Sequence, residues 1–262
     1  MIKAITSREN PLYKELKLLA TRPPVRRKLG QTLLDGVHLC ETYLQHAGNP
    51  LMCVVSDSGA MNPEVSRILA LCEARKVQCI KLPDNLYRPL SQVENGIDLL
   101  FVVQTPAQEV AGALNHAAVL LDNVQDPGNV GSILRSAAAA GIKHIYCGKG
   151  TVFAWSPKVL RAGMGAHFQL HIYENVELEP VVRDAGVPVL ATSSHADCSI
   201  YDADLSQPLA WLFGHEGQGV SEALLEHASQ RVAIPHLGAM ESLNVAASAA
   251  VCFFEQLRQR RP

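Results

Sequence analysis

"AVLLDNVQDPGNVGSILRSAAAAG", residues 118–141, contains a strand, a turn and a helix in one short stretch. An apolar run ends at Asp122, a Pro-Gly pair marks a turn, and a series of small and apolar residues stops at Gly141. Such a continuous apolar run suits a strand buried on both faces, the situation of a parallel sheet. A helix is expected over 129–140, with Asn129 as its N-cap. Arg135 stands among Ile133, Leu134 and alanines. It is either a surface arginine snorkelling from an apolar helix or the partner of a phosphate or carboxylate.

The same alternation extends in both directions. Strands are expected at 143–148, 168–173, 187–192, 209–214 and 231–235, with helices starting at Ser156, Val176 and Ser221 and a long one from Ser242 to Arg258. Strands separated by helices give a parallel sheet covered on both faces, with ligands outside the carboxyl ends of its strands. Upstream, "NPLYKELKLLATRPP" places Leu12, Leu16 and Leu19 at helical spacing and stops at two prolines. Strands at 51–57, 77–83 and 98–104 then alternate with helices at 64–75 and 84–94. A linker over 104–118 divides the chain into two α/β domains, 1–112 and 113–262.

The 262 residues are 48% hydrophobic and 18% charged, as in ordinary globular proteins. No charged-then-apolar leader opens the sequence, and no uncharged apolar run approaches the roughly 18 residues that span a bilayer, so a cytoplasmic protein with no membrane partner is expected. Seven scattered cysteines form no CxxC pair, and His195 with Cys198 lacks a second pair at ligand spacing. Reduced thiols and no metal are expected. The net charge of −2 hides a local excess: the first thirty residues carry eight Lys or Arg against two Glu. Arg22, Arg26, Arg27 and Lys28 close that segment as either a solvated helix face or a phosphate-binding strip.

Two more stretches stand at strand ends. "FGHEGQGVS", 213–221, has three glycines that permit close backbone approach to a ligand. It lacks the Lys-Ser/Thr of a P-loop and the GxGxxG order of a dinucleotide site. Glu216 would repel a pyrophosphate, which points to a cationic or hydroxyl-bearing ligand. "IPHLGAMESLNVAASAAVCFFEQLRQRR", 234–261, leaves a strand at Ile234 and Pro235 and enters a helix at Ser242, Leu243 and Asn244. Either Ser242 or Asn244 can cap it. Ala246, Ala247, Ser248, Ala249 and Ala250 then allow close packing, as in a crowded or interface helix.

Taken together, "DPGNVGSILRSAAAAG", "LFGHEGQGVS" and "IPHLGAMESLNVAASAA" resemble, in order and spacing, the three motifs of the SpoU (TrmH-like) RNA ribose 2′-O-methyltransferases of the SPOUT superfamily. "SPKVLRAGMGAHF", 156–168, resembles a segment that ribosomal-RNA members carry between the first two motifs, with Gly163 where serine is commoner. Residues 1–112 resemble the small α/β ribosomal-protein-like RNA-binding domain of many members.

The resemblance implies a parallel-sheet SPOUT domain whose C-terminal segment threads a trefoil knot, a topology that general rules of chain connection disfavour. It implies S-adenosyl-L-methionine as cofactor, a homodimer that shares its active site, and RNA as substrate, ribosomal RNA ahead of transfer RNA. Catalytic roles fall on Asn129, Arg135, Glu216, Ser242 and Asn244. Cofactor contacts fall on Gly214, Glu216, Gly217, Ile234, Pro235, Leu243 and Asn244. Lys158 and Arg161 join the basic strip as RNA contacts. Arg135 matches the arginine usually assigned to activate the hydroxyl, but a guanidinium stays protonated, which favours clamping phosphate and steadying the developing alkoxide. The proton acceptor is left open. A dehydrogenase is disfavoured by the missing dinucleotide fingerprint and the acid in the glycine loop, and a non-catalytic RNA-binding module by the intact motif residues.

Overall fold

Each half of the chain builds its own sheet. The computed structural model describes residues 2–93, 96–107 and 112–260. They fall into two units, Met1–Ala107 with Trp155–Phe168, and Gln108–Ala154 with Gln169–Pro262. The expected linker runs through 108–111, which lie outside the described residues.

The first unit contains β1 (Ile2–Ala4), α1 (Pro11–Thr21), α2 (Pro23–Leu29), β2 (Gln31–Asp35), α3 (Val37–His46), β3 (Met52–Ser56), α4 (Pro63–Ala74), β4 (Gln78–Leu82), α5 (Asp84–Tyr87) and β5 (Leu99–Gln104). Its sheet order is β1-β4-β3-β5-β2. β1, β4 and β3 are parallel, while β5 runs antiparallel to both β3 and β2. The Asn10 side chain caps α1 at Leu12 N, 3.0 Å away, and the helix buries Tyr13, Leu16 and Leu19 against Leu33, Val54, Ile80 and Val102. Each such fully buried aliphatic side chain contributes roughly 1.5–3 kcal/mol. The prolines after α1 do more than stop it: Pro23 opens α2, since a first-turn residue needs no N–H. α5 is one turn rather than the expected 84–94, because Pro89 has no N–H to continue the ladder. Glu94, the end of that expected helix, lies outside the described residues. Strands β1 and β2 and helix α3 were not anticipated from the sequence.

Arg26 departs from the expected RNA-binding strip. Only 6% exposed, it donates from Nη1 to the carbonyls of Leu19 at 2.6 Å and Ala20 at 3.2 Å. These groups end α1 and have no partner within the helix, so Arg26 serves as a buried C-terminal cap rather than as part of an exposed strip. Burial, with help from the Arg27 charge, pulls its pKa down. Arg22, Arg27 and Lys28 remain exposed.

The second unit comprises β6 (Ala118–Leu121), α6 (Pro127–Ala139) and β7 (His144–Gly148). After α7 (Pro157–Gly163), which belongs to the first unit, it continues with β8 (His171–Val176), α8 (Leu178–Arg183), β9 (Val189–Thr192), β10 (Cys198–Ser199), β11 (Ala210–Phe213), α9 (Glu222–Leu225), β12 (Gln230–Ala233) and α10 (Val245–Arg260). The order is β10-β12-β9-β11-β6-β7-β8, and every neighbouring pair is parallel. On β11, Trp211 and Phe213 face α10: the Trp211 indole donates to Gln256 Oε1 at 2.8 Å, and Phe213 meets Phe253 edge-on with ring centroids 5.7 Å apart. Ala210 and Leu212 face the other side, packing with Leu120, Val189, Leu178, Val182 and Leu224. The sheet is therefore covered on both faces, as its apolar strands require.

Residues 155–168 leave this unit between β7 and β8. Ser156 caps α7 at Val159 N, 3.4 Å away; Thr32 Oγ1 donates to the Trp155 carbonyl at 2.8 Å; and Phe168 meets Tyr43 edge-on at 5.2 Å. Among the described residues no helix is long and apolar enough to cross a membrane. All seven cysteines are free thiols, buried except for the partly exposed Cys198.

At the amino ends of β6, β7 and β8, His116, His144 and His171 stack in a row with centroid spacings of 3.7 Å and 4.9 Å. Burial first, and then repulsion from His116 and His171, depresses His144 to about 4. A histidine whose folded pKa lies below its unfolded value binds fewer protons in the folded state, so stability is lost as the pH falls from about 6.5 towards 4. Urea midpoints at pH 7.5 and 5 are expected to drop less in His144→Gln than in wild type; an equal drop refutes this assignment. Arg26→Ala is expected to cost roughly 1.5–3 kcal/mol, read as a lower thermal midpoint, since it strips a charged donor from buried carbonyls. Lys28→Ala should stay within about 0.5 kcal/mol of wild type, and equal losses in both would remove the cap.

Candidate active site

The three glycine- and asparagine-bearing loops meet at the carboxyl edge of the second unit's sheet, after β6, β11 and β12. Asp126, rather than the expected Asn129, caps α6: its Oδ1 accepts from Asn129 N at 2.8 Å, with Pro127 in the first turn. Asn129 is thus a residue of the first helical turn, and its side chain is free for another use.

That use is set by Glu216. Its Oε1 accepts from Asp126 N and Asn129 Nδ2, both at 3.0 Å, and its Oε2 from Gln125 N at 3.2 Å. Partial burial pushes this carboxyl up, but the Asn129 side chain and the N–H groups of Asp126, Glu216 itself and Gln125 outweigh burial and hold it at about 2. Because a carboxylate only accepts, Asn129 must turn its amino group towards Glu216 and its oxygen away. That oxygen accepts from Asn244 Nδ2 at 2.9 Å. Asn244 in turn points its own oxygen at Ala246 N and Ala247 N, at 2.9 Å and 3.3 Å. Asn244, not Ser242, caps α10, and the helix starts at Val245. One carboxylate therefore orients two amides and a helix start.

The glycine loop folds back on itself. His215 N donates to Gly219 O at 3.0 Å and Gly219 N to His215 O at 2.8 Å. Gly219 has φ +73°, and a Cβ on Gly214 would fall 2.0 Å from the Gly219 carbonyl carbon, so any side chain there would collide with backbone. Ser221 N donates to Asp122 Oδ2 at 2.8 Å, tying the end of this loop to the end of β6.

Beside this junction lies a cavity of about 1020 Å³, at the upper end of small-molecule sites. Of the residues expected to bind or react, Gly214, Glu216, Gly217, Ile234, Ser242 and Leu243 line it. Asn129 and Asn244 connect to it through Glu216. Pro235 and Arg135 are absent from its lining; Arg135 is exposed on α6. Residues 192–195 at the end of β9, together with His215, Glu222, Arg231, His236 and Glu241, are among the other lining residues and were missed. The rule that ligands sit outside strand carboxyl ends, applied to the strand ending at Thr192, was the available signal.

In the first unit, α2 and α7 both pack on β2. Lys158 is exposed like Arg22, Arg27 and Lys28, whereas Arg161 is half-buried. Burial pushes the Asp35 carboxyl up, while hydrogen bonds from Gln92 and Ser91 and then the charge of Arg161 pull it back.

Residues 116–254 match the SpoU rRNA Methylase family. The chain is 31% identical over 255 residues to the 23S rRNA (guanosine(2553)-2'-O)-methyltransferase RlmP of Bacillus subtilis, covering 97% of this chain and 98% of that protein. Among solved structures, an RNA 2'-O ribose methyltransferase aligns with a TM-score of 0.83 at 31% identity over 98% of this chain and 99% of the other. An AdoMet-bound rRNA methyltransferase from Sinorhizobium meliloti aligns with a TM-score of 0.85 at 25% identity over 100% and 99%. A family match over more than half of its length, and a relative alike from end to end, place the chain in the SpoU rRNA methylase family.

Proposed function

We propose that the protein is an S-adenosylmethionine-dependent ribosomal-RNA 2′-O-methyltransferase. The observation that carries this function is the junction itself: one carboxylate, two asparagines and a glycine turn from three separate family motifs form a single hydrogen-bonded unit beside a cavity. The cavity suits the cofactor. Glu216, Glu222 and Glu241 outnumber Arg231 on the wall, and Ser193, Ser194 and Thr192 add hydroxyls, a lining that favours a cationic, hydroxyl-bearing ligand over a pyrophosphate. The bare backbone at Gly214 lets the glycine turn close on itself beside the cavity. Gly214, Glu216, Gly217, Ile234 and Leu243 would hold the cofactor, with Pro235 and Asn244 shaping the loop around them. When bound, it supplies an electrophilic methyl group on a sulfonium.

The chain's own contribution is alignment and charge. Glu216, Asn129 and Asn244 keep the loops in register, so that cofactor and ribose are held in line; such positioning accounts for much of a catalysed rate. Ser242 stands on the cavity wall as a hydrogen-bonding group near the reacting atoms. Arg135 is protonated throughout and is read as the clamp on RNA phosphate and the stabiliser of alkoxide charge. Arg135 is exposed and outside the cavity of its own chain, which supports a site completed by a second subunit. α10 supports this: it packs on α6, while Ala247 and Phe254 stay exposed on it, an apolar surface suited to an isologous dimer contact. The stretch from β12 into α10 is read as the threaded part of a trefoil knot. Residues 1–112, together with α7 of the same unit, would bind RNA and the rest of 113–262 transfer the methyl, in the cytoplasm. Arg22, Arg27 and Lys28 at α2, and Lys158 and Arg161 on α7, are read as RNA contacts; both helices pack on β2.

Methyl-labelled cofactor and ribosomal RNA from a strain lacking the gene should give a label that survives in an alkali-resistant dinucleotide, as a blocked 2′-hydroxyl requires, with transfer RNA unlabelled. Cofactor binding without any RNA label overturns the activity; label in transfer RNA alone overturns the substrate. Arg135→Lys keeps the charge but loses the planar two-pronged geometry, so single-turnover rates should fall about a hundredfold or more while cofactor affinity holds. The same variant should sediment as a dimer. Near-wild-type turnover removes Arg135 from the mechanism, and a monomer at micromolar concentration removes the shared site.

A further inference from the structure

We infer that His215 is a positioning residue of the cofactor cavity, acting as a neutral ring whose Nδ1 holds the glycine turn closed. Gly217 N donates to His215 Nδ1 at 3.0 Å, inside the turn that the His215 and Gly219 backbones close. A Cβ built on Gly217 would meet ring atoms Cε1 and Nδ1 of His215 at 3.7 Å, so the imidazole lies against this glycine. Residues 214–220 all line the cavity, and the next side chain is Glu216, whose direction decides the hydrogen-bonded junction. The His215 bond thus fixes the backbone on the far side of the residue that joins all three loops.

An acceptor at Nδ1 commits the ring to one protonation state. A neutral imidazole can accept at one nitrogen and donate at the other; a charged one donates at both. Protonating His215 would place N–H against N–H at Gly217 and release the turn. The other titratable groups lining the cavity are Glu216, Glu222, Glu241, Arg231, His195 and His236, and it is His215 Nδ1 that accepts from Gly217 N. An asparagine could make the same link without titrating, because its side-chain oxygen accepts from the N–H two residues on. A phenylalanine could fill the space but not accept.

The inference rests on the cavity being the S-adenosylmethionine site, and the test separates the two. Calorimetric dissociation constants for S-adenosylmethionine and S-adenosylhomocysteine would be measured at pH 8, 7 and 5.5 with wild type, His215→Asn and His215→Phe. Loss of a single hydrogen bond corresponds to roughly two- to tenfold in affinity. Wild type is expected to weaken by that factor as the pH falls, His215→Phe to be weakened at every pH, and His215→Asn to keep wild-type affinity at pH 8 and hold it at pH 5.5. His215→Phe binding like wild type at pH 8, or His215→Asn weakening in acid as wild type does, overturns the role of His215. Failure of wild type to bind either compound at any pH overturns the cofactor assignment on which the inference rests.

Discussion

The second unit depends on the Glu216 carboxylate being surrounded by N–H donors. Three such donors come from another loop, two of them backbone groups of the 125–126 turn and the third the Asn129 side chain. Their polarity runs in one direction, since an acceptor-only group at one end leaves each amide along the chain a single favourable orientation. The last link is the start of α10, whose first N–H groups would otherwise lack partners. A charge that would be costly in an unpaired cavity wall is therefore the element that organises it, and its low pKa follows from the same bonds.

Everything around that junction serves to keep it in place. The parallel sheet brings the ends of β6, β11 and β12 to one edge, and the packing of Trp211 and Phe213 against Gln256 and Phe253 holds α10 over it. The glycine turn must come within contact distance of its own backbone, which explains the absence of a side chain at Gly214. Asp126 takes the capping role on α6, and only for that reason can Asn129 reach sideways to Glu216 and Asn244. The acid in the glycine loop, read from sequence as a hint of a cationic ligand, is first of all a tie between loops.

The first unit follows a different economy of charge. Arg22, Arg27 and Lys28 stay at the surface, while Arg26, next to Arg27 in the chain, is drawn inside to satisfy the end of α1. α7 comes from the middle of the other sheet's sequence and packs on the same strand as α2. Arg26, Arg27 and Lys28, consecutive on a seven-residue helix, thus separate into one structural role and two surface positions.

The sequence by itself determined the α/β alternation, the parallel sheet of the second half, the three loops that carry chemistry and their family. These depend on local hydrophobic period, turn residues and motif spacing, which are written in consecutive residues. It did not reveal β1, β2 or β10, edge or short strands whose pairing partners are distant, nor the loop after Thr192 that lines part of the cavity. Only the tertiary structure decided that Arg26 is buried, that Asp126 rather than Asn129 caps α6, that Asn244 rather than Ser242 caps α10, and that Glu216 bonds to the chain before any ligand. In each case several residues within one turn could serve locally, and the choice was made by a carbonyl, an amide or a carboxylate brought close by folding from elsewhere in the structure.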